Sequence, residues 1–276
     1  MKMWPRFTAA IVSVALAGYV LYRIFAHSSA LLQPALVTPS MNAHRALSPS
    51  LDARVDRLLH EHQDTDRIGR PKLIALTFDD GPYAVTTPLL LDALHDLHVR
   101  ATFFLIGRDA EQFPELVQRI ERYGNEIGNH TYSHPNLDEL APGAVRTELV
   151  KGRAALLHLA HDPSIGSLMR PPHGRYTEET VDVAQSLGYH VVLWTEDPGD
   201  WQTLTVARIA HSIEDHATAP SIVLLHNGKL ATVQVLAQIV PAFRSNGYQF
   251  VTVGELLKRA MPENINHPAK LSLKRG

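Results

Sequence analysis

The chain contains no cysteine. Disulfides, thiolate metal sites, cysteine nucleophiles and iron–sulfur clusters are therefore excluded together. This suits an oxidising compartment without requiring one. A charge excess is also missing: 26 Lys plus Arg stand against 28 Asp plus Glu, a formal net charge of −2. Proteins that coat nucleic acid carry a clear basic excess, so nucleic acid is not an expected partner. Charged residues are 20% of the chain and hydrophobic ones 45%, which excludes a disordered polymer. What is present is length and histidine. The 276 residues suit one domain of about 200–250 residues with appendages. With 16 histidines and no thiol, any bound metal must use imidazole nitrogen and carboxylate oxygen.

Lys2 and Arg6 precede an apolar run from Phe7 to Tyr22, which Ile24, Phe25 and Ala26 extend beyond Arg23. A basic flank before such a run marks a signal peptide or an uncleaved signal anchor. Residues 1–28 are read as this segment. Ser28-Ser29-Ala30 would permit cleavage. The positive charge before the run exceeds that of Arg23, which favours an anchor with its N-terminus inside. Both versions place the remainder outside the cytoplasm, either membrane-anchored or secreted and periplasmic. Residues 29–70, with Pro34, Pro39 and Pro49, read as a linker holding a short helix near Leu51–His62. Residues 71–262 form the expected catalytic domain, and 263–276 a disordered tail.

After Pro71 short apolar runs alternate with amphipathic ones. Strands are expected at Leu73–Phe78, Ala101–Leu105, Glu126–Asn129, Ser167–Arg170, His190–Trp194, Ile222–Leu225 and Phe250–Val253. Runs such as LIALTF and IVLL lack polar alternation, as in parallel strands buried on both faces. Helices are expected near Pro88–Leu97, Ala110–Tyr123, Gly143–His158, Glu178–Leu187, Val206–His216 and Val233–Ser245. Gly124, Gly188 and Gly247 serve as stops. The alternation predicts an α/β domain, a barrel or an open doubly wound sheet.

Five clusters lie just past these strands, where an α/β barrel gathers its chemistry. In Thr77-Phe78-Asp79-Asp80-Gly81-Pro82, two adjacent carboxylates repel unless a cation or shared proton compensates. Strand alternation alone would point them apart, and either could merely cap the turn. In His130-Thr131-Tyr132-Ser133-His134, two imidazoles four apart can meet on one ion. His95 and His98 lack such a partner motif and are assigned to a solvated helix face. Arg170-Pro171-Pro172-His173-Gly174-Arg175 offers a fixed cation and a stiff loop, or a rigid surface turn. In Trp194-Thr195-Glu196-Asp197-Pro198-Gly199-Asp200-Trp201, an aromatic beside a carboxylate can wall a sugar site or fill a barrel mouth. Leu224-Leu225-His226-Asn227 closes a buried strand with a histidine, which alone would be read as structural.

In this order TFDDGP, HTYSH, RPPHGRY, the W-x-x-D-x-x-D-W stretch and LLH resemble the five signature motifs of carbohydrate esterase family 4. These are the NodB-like polysaccharide deacetylases. The resemblance covers about residues 72–258. It implies a distorted (β/α) barrel, here seven-stranded, and one divalent ion, zinc with cobalt or nickel as alternatives. Asp80, His130 and His134 would be its ligands. Asp79 would be the general base, oriented by Arg170, and His226 the general acid, tuned by Asp200. The His173 backbone N–H would face the oxyanion, while Trp201 and Leu224 would line the acetyl pocket. His173 replaces the family's usual aromatic residue, and Asn227 stands where Asp or Gly is frequent.

The implied activity is removal of N-acetyl groups, with release of acetate, from an extracellular or cell-wall polysaccharide. Peptidoglycan and chitin-like N-acetylglucosamine polymers lead. The alternatives are an O-deacetylase, or a non-catalytic carbohydrate-binding relative, which would be expected to lose the base or the ligands.

Overall fold

A computed structural model of the protein describes residues 72–161, 165, 167–202 and 204–260. The N-terminal segment, the linker with its expected helix and most of the C-terminal tail lie outside the described residues. Among the described residues no helix is long and apolar enough to cross a membrane.

Seven strands form one parallel sheet in the order β5-β4-β3-β2-β1-β6, with β7 also on β1. They are β1 (Lys72–Asp79), β2 (Thr102–Leu105), β3 (Glu126–Asn129), β4 (Leu168–Met169), β5 (His190–Val191), β6 (Ser221–His226) and β7 (Tyr248–Phe250). The helices between them are α1 (Thr86–Asp96), α2 (Gly107–Ala110), α3 (Pro114–Arg122), α4 (Pro142–Leu159), α5 (Glu178–Ser186), α6 (Val206–His216), α7 (Leu230–Ser245) and α8 (Val253–Ala260). The sheet curls into a half-barrel. After β5 the chain pairs once more with the sheet, in a parallel bridge between Glu196 and Val223 of β6, before α6.

Period-two alternation sorts β1 and β6 into two faces. Ile74, Leu76, Phe78, Val223 and Leu225 join the main core, with Leu90 and Leu94 of α1 and Val235 and Ile239 of α7. Leu73, Ala75 and Ile222 point inside the curl, where Val253 and Leu256 of α8 close its lower end. Thr77 and Asp79 continue the inner set of β1, and Leu224 and His226 that of β6. Register places Asp79 directly opposite His226, both at the C-terminal ends of their strands. The same alternation that builds the core thus delivers two polar side chains to the open upper end.

Three expectations shift. The helix expected over Ala110–Tyr123 is two, α2 and α3, because Phe113 adopts φ −134 ahead of Pro114, as the residue before proline disfavours the helical region. The last strand is Tyr248–Phe250 rather than Phe250–Val253, and Val253 opens α8. Thr252 Oγ1 accepts from the Glu255 N–H and Glu255 Oε2 from the Thr252 N–H, a reciprocal cap visible in sequence as T-x-x-E. The strands expected at Ser167–Arg170 and His190–Trp194 shorten to two residues each, as the chain leaves the ladder to form site loops.

Candidate active site

Asp79 ends β1, and its 4% exposure places the carboxylate inside the protein. A buried charge needs a partner. Arg170, wholly buried, supplies it: Nη1 donates to Asp79 Oδ1 at 2.7 Å and to Thr77 Oγ1 at 2.7 Å. Nη2 donates to the Leu193 carbonyl at 2.9 Å and Nε to that of Val192 at 3.3 Å. The guanidinium also lies 4.2 Å from the Phe104 ring centroid. Arg170 is thereby locked in one orientation, and so is the carboxylate oxygen it holds.

Asp80 would point away from Asp79 on a continuing strand. It does not, because the chain turns at φ 71 in Asp80 and φ 68 in Gly81. Asp80 Oδ1 comes 3.2 Å from His134 Nε2 and 3.8 Å from His130 Nε2. One donor atom from each of Asp80, His130 and His134 lies within 4.8 Å of the other two. Burial alone would raise the Asp80 carboxyl, but the hydrogen bond from His134 and the charges of His130 and His134 pull it down to about 2. Burial pushes the His130 imidazole below its ordinary value, against the pull of Asp79 and Asp80. Its Nδ1 donates to the Arg170 carbonyl at 2.8 Å, which leaves the Nε2 lone pair facing Asp80. Two imidazole nitrogens and one carboxylate form an N₂O donor set that suits zinc and similar ions.

The HTYSH loop is held from outside. Glu148 of α4 accepts from the N–H groups of Tyr132 and Ser133 and from the Ser133 hydroxyl, at 2.8–3.1 Å. Gly152 lets α4 approach: a Cβ there would fall 2.4 Å from Asn129 Oδ1 and 2.9 Å from Thr131 C. Thr131 and His134 both adopt positive φ, 69 and 64. Nothing in the sequence pattern marked Glu148, since a glutamate on an amphipathic helix reads as solvated surface.

Opposite this set stands His226. Asp200, 1% exposed, accepts from its backbone N–H at 2.8 Å and from Nδ1 at 2.7 Å, and also from the Thr232 hydroxyl of α7. With Nδ1 engaged, Nε2 is the ring nitrogen left for other chemistry. Burial opposes the charged imidazolium. The hydrogen bond to Asp200 and the charges of Asp200, Asp79 and Asp80 outweigh it, and His226 is raised above the ordinary histidine value.

The remaining expected residues differ in placement. Leu224 is buried on the inner face of β6, and Trp201 is 52% exposed beside Asp200. His173 adopts φ 58 in a short turn; its Nδ1 lies 2.8 Å from Asn136 Oδ1 and its ring is edge-on to His134, centroids 4.6 Å apart. Asn227 accepts from Thr87 Oγ1 at 2.9 Å, and the same oxygen accepts from the Tyr83 N–H, tying the Asp80 turn to β6. Thr77, Glu148 and Thr232 support the site without having been singled out. Thr77 was readable, standing two residues before Asp79 on the same strand face. His95 is exposed on α1, as expected, against the Tyr123 ring, whereas His98, also exposed, lies past the end of α1 in a turn at φ 51 rather than on the helix face.

Comparison with known proteins bears on this arrangement. Residues 66–192 match the family model described as polysaccharide deacetylase. A peptidoglycan-N-acetylglucosamine deacetylase of Bacillus cereus is 38% identical over 192 residues, which cover 68% of this chain and 89% of the relative. A chitooligosaccharide deacetylase of Azorhizobium caulinodans is 31% identical, covering 63% of this chain and 90% of its own. The crystal structure of the Bc1960 peptidoglycan N-acetylglucosamine deacetylase superposes with a TM-score of 0.65 at 35% identity, over 68% of this chain and 88% of that one. The level of identity, the near-complete coverage of these relatives and the shared fold together establish that the chain belongs to the polysaccharide deacetylases, carbohydrate esterase family 4, and is a hydrolase of that class.

Proposed function

We propose that residues 71–262 form the catalytic domain of a divalent-metal-dependent deacetylase. It removes N-acetyl groups from N-acetylglucosamine polymers of the cell wall, peptidoglycan first and chitin-like glycans second. The similarity to deacetylases named for those two substrates supports this choice. It also supports action outside the cytoplasm; the basic flank and apolar run of residues 1–28 would serve as the anchor or cleaved signal.

One observation carries the reading. Asp80, His130 and His134 converge, while Asp79 and His226 stand in register at the ends of neighbouring strands. The three-residue donor set suits zinc. When bound, such an ion supplies Lewis-acid polarisation of a carbonyl and a more acidic water. The protein's own groups divide the rest. Arg170 fixes Asp79 so that Oδ2, the oxygen free of the guanidinium, can accept a proton from the attacking water. The His173 backbone N–H faces the developing oxyanion. The leaving amine is a poor leaving group until it is protonated, and His226 Nε2 donates that proton while Asp200 holds the ring. Trp201 and Leu224 wall the acetyl group.

The test is acetate release from an N-acetylglucosamine tetramer by wild type, Asp79→Asn and His226→Ala. Asp79→Asn should keep its metal and lose turnover. His226→Ala should slow the amide more than an activated acetate ester, whose leaving group needs no proton. Equal losses on both substrates would remove His226 from the acid role. Glycan binding with no acetate release by wild type would favour a carbohydrate-binding protein instead.

A further inference from the structure

Among the described residues seven large apolar side chains are exposed, and five of them, Tyr83, Val85, Leu89, Trp201 and Leu230, follow β1, β5 or β6 in the chain. The other two, Val150 and Leu157, lie along α4.

Within this group Tyr83 is held in a defined position. Its ring edge is seated on two glycines. A Cβ at Gly228 would fall 2.9 Å from Tyr83 Cε2, and one at Gly81 would fall 3.0 Å from Cδ2. The Tyr83 N–H donates to Thr87 Oγ1 at 2.7 Å, and that hydroxyl donates to Asn227. The ring thus sits where the loop carrying Asp80 meets the loop carrying His226: Tyr83 lies three residues after Asp80, and its seat Gly228 two residues after His226. Yet 38% of the residue stays open to solvent. A core aromatic would be covered, and a merely exposed one would not be cradled.

We propose that Tyr83 is a stacking platform for the sugar ring next to the one being deacetylated, and that it sets a preference for long N-acetylated glycans over short ones. This rests on the deacetylase reading above. A pyranose presents C–H groups on its faces and hydroxyls on its rim, and a tyrosine presents an apolar face and a polar tip to match. Because the ring is already ordered, little side-chain freedom is lost on binding. Continuity with the site argues for glycan as the occupant: a chain whose acetamido group lies between Asp79 and His226 must continue along one of the adjoining loops.

The experiment uses the full chain and compares kcat and KM for an N-acetylglucosamine hexamer and dimer. Tyr83→Ala should raise the hexamer KM about tenfold, with a much smaller effect on the dimer. Tyr83→Phe should recover most of the loss. Gly228→Ala, which pushes the ring off its seat, should reproduce the Tyr83→Ala effect. Equal changes for both lengths, or a fall in kcat alone, would overturn the proposal. Hexamer affinity is measured in parallel by calorimetry on Asp79→Asn, with and without Tyr83→Ala. Affinity that depends on Tyr83, in a protein that releases no acetate, would sink the deacetylase reading and keep the platform. Acetate release with affinity and KM indifferent to Tyr83 would do the reverse. Weaker binding of Tyr83→Ala to anionic phospholipid vesicles, at unchanged hexamer affinity, would assign the ring to a membrane surface and overturn the proposal.

Discussion

Replacing Arg170 by methionine tests the central electrostatic arrangement. The substitution keeps an unbranched apolar stem beside Phe104 and removes the guanidinium. Four hydrogen bonds go with it, to Thr77, Asp79, Val192 and Leu193. Asp79 is then a buried carboxylate without its cation, since its side chain is 6% exposed. Breaking a buried pair from one side costs about 3–5 kcal/mol, because the surviving charge is uncompensated. Set against a total stability of about 5–15 kcal/mol, this is a large fraction. For a domain of this size it corresponds to a fall in Tm on the order of 10 °C. Thermal and urea unfolding followed by circular dichroism would read it. The double variant Asp79→Asn/Arg170→Met removes both charges and should be more stable than Arg170→Met alone by about 2 kcal/mol. A loss below about 1 kcal/mol in Arg170→Met, or a double variant no better than the single one, would refute the reasoning. Arg170→Lys should fall between, since it restores charge without the planar fork.

Other outcomes follow from the same geometry. Proton donation by His226 requires its charged form, so the alkaline limb of the pH–rate profile follows its raised value. Asp200→Asn removes the main raising influence and should move that limb to lower pH; an unmoved limb would separate the two residues. The stability that His226 gains from Asp200 is fully present below about 6.5, the ordinary histidine value, and is lost as pH rises through the raised one. Unfolding of Asp200→Asn should lack that dependence. Glu148→Ala releases three hydrogen bonds to the HTYSH loop and should weaken zinc affinity about tenfold, as measured by competition with a chromogenic chelator. Chelation should abolish acetate release and lower Tm, and added zinc should restore both; full activity in rigorously demetallated protein would contradict the donor-set assignment.

The sequence by itself determined the fold class and the inventory of the candidate site. Uniform apolar runs required parallel strands covered on both faces, and the five ordered motifs sat at their C-terminal ends. Local signals also placed some boundaries, such as Glu126–Asn129 and Val206–His216. Others escaped: the break before Pro114 and the Thr252–Glu255 cap were present in the residues but were outweighed by the surrounding apolar pattern. Tertiary structure decided what the motifs could do together. Alternation along β1 would separate Asp79 from Asp80, and the left-handed turn at Asp80 and Gly81 reunites them. Asp79 and His226 are 147 positions apart, and only the pairing of β1 with β6 sets them side by side. Glu148, Thr232 and the glycine seat under Tyr83 had no local signature, because a supporting contact is defined by what a folded neighbour brings to it. Short-range pattern follows from backbone geometry and burial along one strand or helix; a site depends on long-range register, and that exists only once the sheet has closed around it.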